Sequence, residues 1–337
     1  MSMTRASRGF HRVLVTISDM IDQVGEATRN RRDSVWQGFW RLADPKISIT
    51  SLACMMIGGS MAARDGAIDW LWLAVTGVAL FCMEVAKNAW GDVYDYDSGT
   101  DLAVLPEDRT PFSGGKRVMV DQLLTRAQTW AMALGFAAAG CALGAWLVFG
   151  RSLELGSTEV LWIGLLGLFL GWSYHGPPLR LAYRGLGELD VVLCYGPMIS
   201  LATYAIQRGT WSWPVVWLSL PLGVFTAAFL LVNEFPDYTA DVGANKRNLV
   251  VQLGRRAASR LLAAVYLLGF AGVVALPALG FPKTVLLALL PLPLALFVVT
   301  KVWREPETFY RNAPAQPMAL LVFVLYALGA GVGVLLG

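Results

Sequence analysis

Charge is scarce in this chain: only 15% of its 337 residues are Asp, Glu, Lys or Arg, where a soluble domain carries about 25%. With 56% hydrophobic residues and a mean hydropathy of +0.54, that scarcity excludes an ordinary soluble domain and indicates an integral membrane protein. Histidine is almost missing, at two residues, and the four cysteines include no Cys-x-x-Cys pair. Cys54, Cys82, Cys141 and Cys194 all lie in apolar runs, so they suggest neither a zinc site nor a disulfide framework, and they read as small buried residues. The N-terminal segment lacks an apolar core of signal-peptide length before a small-residue cleavage site, so it is expected to be retained. The formal net charge is a modest +3, and no nucleic-acid partner is expected.

Long apolar runs are what the chain has instead. A bilayer-crossing helix needs about 20 such residues. The runs at approximately 47–63, 70–91, 126–149, 159–175, 188–206, 213–232, 260–279, 283–302 and 317–336 predict an all-α polytopic protein of about nine transmembrane helices. Ahead of them, residues 1–40 form a basic segment, and 41–337 the transmembrane domain. In the basic segment Phe10, Val13, Leu14, Ile17, Met20, Ile21 and Val24 recur at spacings of three and four. That periodicity predicts an amphipathic helix whose arginines suit anionic headgroups.

Basic residues orient the bundle. Of the 27 Lys and Arg, only Arg64, Arg151, Arg208 and Lys283 fall on one side, and Lys87 sits near the inner end of the second span. The others share the opposite side with the N-terminus. The positive-inside rule then puts the N-terminus in the cytoplasm and the C-terminus outside, in the inner membrane if the chain is bacterial. The loops 92–125, 175–187 and 233–259 are the longest and most polar connections, and all lie on the cytoplasmic side.

Two acidic clusters sit on that side. The stretch Asn88 to Asp101 carries Asp92, Asp95, Asp97 and Asp101 at the end of an apolar run, and Asn233, Asp237 and Asp241 echo it downstream. At 100° per residue, Glu84, Asn88, Asp92 and Asp95 fall within about 80° of one another on a helix. Such a polar face belongs toward a wet cavity, since facing lipid costs several kcal/mol per charge. Ser98-Gly99 should break the helix and let Asp101 fold back. Asn233, Asp237 and Asp241 share a face by their spacing of four, Pro236 should kink or restart that helix, and Gly243 should end it.

Carboxylates this close repel one another unless a cation neutralises them. An all-oxygen set without His or Cys suits Mg²⁺, which usually takes one or two carboxylates plus substrate phosphate oxygens. A Mg²⁺–diphosphate site follows, with Arg109, Lys116, Arg117, Lys246 and Arg247 as candidate phosphate contacts and Gly114-Gly115 allowing close backbone approach. In the third inner loop, Tyr174 and Tyr183 are placed to face the site as hydrogen-bond or π partners for a developing cation.

Four stretches together resemble the UbiA superfamily of intramembrane prenyltransferases: Asp44-Pro45-Lys46; Asp92-Val-Tyr-Asp95 through Asp101 with Thr110 to Arg117; Gly176-Pro-Pro with Tyr183 to Glu188; and Asn233 through Asp237 and Asp241 to Lys246 and Gly254. The resemblance covers about residues 40 to 336. It is closest to the branch that prenylates 1,4-dihydroxy-2-naphthoate in menaquinone synthesis. It implies a central cavity capped by cytoplasmic loops and a prenyl diphosphate bound through Mg²⁺. The metal-binding roles fall on Asp92, Asp95, Asp101, Asp237 and Asp241, with Asn88 and Asn233 as the neighbouring amides. The implied reaction is prenyl transfer to an aromatic acceptor. A cyclase or lyase of the same fold that ionises a prenyl diphosphate without an acceptor, and a transporter using intramembrane carboxylates, are the alternatives. Two positions depart from the family pattern. Gly91 stands where an asparagine usually precedes the first motif, and Pro236 where the naphthoate branch often has arginine.

Overall fold

The structure, a computed structural model, describes residues 33–337; the amphipathic helix expected around Phe10 to Val24 lies outside them. Among the described residues the chain is all helical, apart from one isolated bridge between Thr110 and Ser113. In chain order the long helices are α1 (Asp33–Asp65), α2 (Trp70–Asp97), α3 (Arg126–Ser152), α4 (Glu159–His175), α5 (Gly187–Arg208), α6 (Trp213–Gly243), α7 (Arg255–Leu279), α8 (Lys283–Arg304) and α9 (Ala315–Leu335). Eight of these described helices are long and apolar enough to cross a membrane. The remaining expected span, the fourth, is α4, a helix of 17 residues, about 25 Å at 1.5 Å per residue.

Local chemistry sets the ends. The Asp69 carboxylate caps α2 by accepting from the N–H groups of Leu71 and Trp72. Thr125 and Gln128 form a reciprocal capping box at α3, and Ser212 caps α6, with a proline in its first turn. Each satisfies donors that a helix start leaves orphaned. Two expectations about the acidic helices have different outcomes. Helix α2 ends at Asp97, Gly99 turns with φ 82°, and a short helix Thr100–Ala103 carries Asp101 back into the protein. Helix α6, by contrast, is not restarted at Pro236: it stays helical through Pro221 and Pro236 to Gly243, 31 residues in all. A proline mid-helix forfeits one hydrogen bond, and the packing of buried Phe235 against Phe309 at 5.5 Å is among the contacts that hold the segment in place.

The largest core surrounds α6. There Leu218, Leu222, Phe225, Val232 and Phe235 pack against α1, α7, α8 and α9. A second core joins α2 and α3 to the first turns of α1, through Val85, Ala89, Val93, Ala133 and Leu42. The cavity described below opens between these cores. At the far end of the bundle, Arg208 donates to the Ala62 carbonyl and Arg151 to the Ile206 carbonyl. The acidic ends of α2 and α6 lie together at the other end.

Candidate functional site

A cavity of about 910 Å³ lies between the C-terminal ends of α2 and α6. Its roof is made by the first turns of α1, through Trp36 and Trp40, and by the loop 104–125. That roof is tethered. Asp44, held at φ 34° between the two helical parts of α1, pairs with Lys116, and Lys46 donates to the Pro111 carbonyl. Asp108 accepts from Tyr310 at 2.8 Å and from Arg311 at 2.5 Å, fixing the loop to the short helix Phe309–Asn312.

The two acidic clusters meet across this space. Asp92, Asp95, Asp101, Asp237 and Asp241 all line it, whereas Asp97 turns away and pairs with Arg126 at 2.8 Å. Asp95 is the most engaged: the Tyr183 hydroxyl donates to its Oδ1 at 2.6 Å and Lys246 Nζ to its Oδ2 at 3.2 Å. Lys246 also stands 3.9 Å from Asp241 Oδ1, so one ammonium touches both helix ends. Burial alone would depress that ammonium, but Asp95 and Asp241 outweigh it and hold its pKa well above the usual lysine value. Burial, and then the charges of Asp95 and Asp92, push the Asp101 carboxyl well above the usual range. Burial and Asp95 likewise raise Tyr183 to about 12, so its hydroxyl stays a donor.

Several buried carboxylate oxygens make no hydrogen bond: both of Asp92, Oδ2 of Asp101, Oδ1 of Asp237, and Oδ1 of Asp241, which faces Lys246 at 3.9 Å. An unsatisfied buried carboxylate oxygen is costly, and a hard cation is the kind of group that would satisfy several at once. The all-oxygen donor set therefore fits Mg²⁺. Among the described residues no three acidic, His or Cys side chains converge as a preformed cation site; the carboxylates instead face one another from two helices across open space.

The other expected contacts divide. Asn88, Arg109, Lys116, Arg117, Asn233, Lys246 and Tyr174 line the cavity. Asn88 donates to the Leu42 carbonyl at 2.8 Å, and Asn233 accepts from Gln316 at 3.0 Å, so both amides also tie helices together. The Arg117 guanidinium donates to the Asp101 carbonyl at 2.6 Å. Tyr183 stands behind Asp95 rather than on the cavity wall. Arg247 is exposed and does not reach the cavity; the turn after Gly243 aims its neighbour Lys246 inward instead.

Glycines explain two local features. Gly115 has φ 74°, and a Cβ there would run into the Asp101 carboxylate. At Gly91 a Cβ would lie 2.7 Å from His175 Cε1. The imidazole thus fills the room that a side chain at position 91 would need, and its Nε2 lies 3.8 Å from Asp95 Oδ2.

Sequence reasoning gave no role to four groups on the cavity wall: Lys87, His175, Glu234 and the Asp44/Lys46 pair. Glu234 has a buried, unpartnered Oε2. Lys87 carried the clearest signal, being a lone lysine within an apolar run, where ionisable residues are functional by default.

The UbiA prenyltransferase family model matches residues 51–324. The chain is 27% identical over 255 residues to the 1,4-dihydroxy-2-naphthoate octaprenyltransferase of Bacillus subtilis, covering 75% of this chain and 78% of that one. It is 30% identical over 240 residues to the 2-carboxy-1,4-naphthoquinone phytyltransferase of Synechocystis, covering 69% and 71%. Among solved structures, a UbiA homolog from Aeropyrum pernix superposes with a TM-score of 0.63 at 16% identity, over 85% of this chain and 97% of that one. Another from Archaeoglobus fulgidus, bound to GPP and Mg²⁺, gives 0.58 at 13% identity, over 89% and 100%. Family match, helical bundle and paired acidic helix ends agree, and this chain belongs to the UbiA family of membrane prenyltransferases.

Proposed function

We propose that the protein transfers the prenyl group of a prenyl diphosphate to an aromatic quinone precursor of the 1,4-dihydroxy-2-naphthoate type, within the membrane and with Mg²⁺, releasing diphosphate. The observation that carries this reading is the facing pair of acidic helix ends, with Asp92, Asp101 and Asp237 oxygens that make no hydrogen bond and Lys246 between Asp95 and Asp241. The likeness to the two naphthoate-type relatives supports the acceptor class. Residues 41–337, roofed by Trp36 and Trp40 of the preceding segment, constitute the catalytic unit, with the C-terminus outside.

Asp92, Asp95, Asp101, Asp237 and Asp241 would hold the metal. When bound, Mg²⁺ draws negative charge from the diphosphate and makes it a better leaving group. Lys246 from the wall and Lys116 and Arg109 from the roof line the same cavity and stabilise the charge that grows on the departing oxygens. The allylic C–O bond breaks with its electron pair leaving on the diphosphate. The resulting cation faces Tyr174, Tyr195, Phe112 and Phe229, whose ring faces attract positive charge. A ring carbon of the acceptor supplies the electron pair for the new C–C bond. The ring then sheds a proton, or carbon dioxide where the attacked carbon bears a carboxylate.

The test supplies purified protein with Mg²⁺, a prenyl diphosphate and 1,4-dihydroxy-2-naphthoate, and follows diphosphate and prenylated ring together. Stoichiometric appearance of both, lost in Asp92→Ala and Asp237→Ala, is the expected result. Diphosphate released with a ring-free terpene product would replace transfer with cyclisation.

A further inference from the structure

A second cavity adjoins the first. It is an apolar groove of about 400 Å³ between α2, α3, α4 and α5. Its rim includes Phe149 and Leu165, both exposed on the outer face of the bundle, so it reaches the lipid. Its room comes from glycine. Gly164, Gly167 and Gly171 are spaced by three and four on one face of α4, and a Cβ at Gly164 or Gly171 would meet nothing within 4 Å. The inner end of this groove is not apolar. Glu84, Lys87 and Asp190 line it, and Lys87 and Tyr195 border both cavities.

Each of these three groups has unused capacity. The Lys87 ammonium lies 4.5 Å from the Tyr174 ring centroid and 6.0 Å from that of Tyr195; among the described residues it has no hydrogen bond and no ion pair. Glu84 spends Oε1 on the Ser51 hydroxyl and leaves Oε2 buried and unpartnered, at 6% exposure. Asp190, equally buried, has only a weak contact to Cys194 Sγ at 3.7 Å. An isoprenoid chain has no use for a cation flanked by two acceptors, and ionisable groups at membrane depth are expensive to keep without a role. The diphosphate groups belong to the other end of the first cavity, since Lys87 is five residues before Asp92 on α2, about 7.5 Å deeper.

We propose that Lys87, Glu84 and Asp190 form the polar end of the acceptor subsite, which takes a hydroxylated aromatic carboxylate entering from the bilayer. This rests on the prenyl-transfer reading and adds the recognition of the acceptor. Lys87 binds the ring carboxylate, Glu84 and Asp190 accept from the ring hydroxyls, and Tyr174 and Tyr195 wall the ring. The ring then lies between the groove and the diphosphate, where its carbon can reach the prenyl cation.

The first measurement is equilibrium binding of 1-hydroxy-2-naphthoate, followed by its fluorescence, to the full chain in detergent without prenyl diphosphate. Binding at least tenfold weaker in Lys87→Met and retained in Lys87→Arg is expected. Equal affinity in the wild type and Lys87→Met, or no binding to the wild type, overturns the proposal. Turnover then compares 1,4-dihydroxy-2-naphthoate with 1,4-dihydroxynaphthalene. Lys87→Met should raise KM tenfold or more for the carboxylated ring alone and leave KM for the prenyl diphosphate within twofold. Equal losses on both rings, or a raised prenyl diphosphate KM, would place Lys87 elsewhere and overturn it. Glu84→Gln and Asp190→Asn should weaken both rings alike. Lys87-dependent binding in a protein that transfers no prenyl group would leave this subsite standing and refute the reaction instead.

Discussion

Lys246 Nζ sits 3.2 Å from Asp95 Oδ2, and through that contact a loop lysine closes the gap between two helices that the chain separates by more than a hundred residues. The same ammonium reaches Asp241. It partly neutralises a crowd of carboxylates that would otherwise repel one another, and it stands where diphosphate oxygens need positive charge.

Lys246→Met should therefore raise KM for the prenyl diphosphate by tenfold or more. Arg247→Ala should leave it within twofold, since Arg247 is exposed and off the cavity. Steady-state diphosphate release by the two variants checks both, and a larger effect at Arg247 would contradict the geometry.

Tyr183→Phe removes the donor at 2.6 Å to Asp95. A hydrogen bond to a charged group is worth about 1.5–3 kcal/mol, roughly ten- to hundredfold. The variant should need about tenfold more Mg²⁺ for half-maximal rate while keeping its melting temperature within a few degrees. Magnesium titrations of the activity make the comparison.

Chelation by EDTA should abolish diphosphate release, and added Mg²⁺ should restore it. Asp92→Asn and Asp237→Asn should shift the restoring concentration upward by more than tenfold, because each removes an oxygen charge at the site. Turnover indifferent to EDTA would dismiss the metal role.

Gly115→Ala should lower activity at least tenfold, because φ 74° disfavours a side chain and the new Cβ would displace the Asp101 carboxylate. Gly91→Ala should push His175 away from Asp95 with a smaller loss, about threefold, since an imidazole can swing more readily than a turn can rebuild. Rates measured beside melting temperatures separate these effects from unfolding.

The sequence by itself determined the class and much of the helix layout. Uninterrupted apolar runs of about 20 residues suit helices, which satisfy their own backbone groups in lipid, and are about twice the length of a barrel strand; the starts at Trp70, Arg126, Glu159, Trp213 and Lys283 coincide with those runs. It also determined which carboxylates share a face, since a helical spacing of four is local geometry. Only the tertiary structure decided that Asp97 turns out to Arg126, that Lys246 rather than Arg247 faces the cavity, and that Tyr183 supports Asp95 from behind. These choices depend on a turn at Gly99, another after Gly243, and contacts between distant segments. The polarity at the inner end of the groove was equally hidden: Glu84, Lys87 and Asp190 become one group only when α2 and α5 pack side by side.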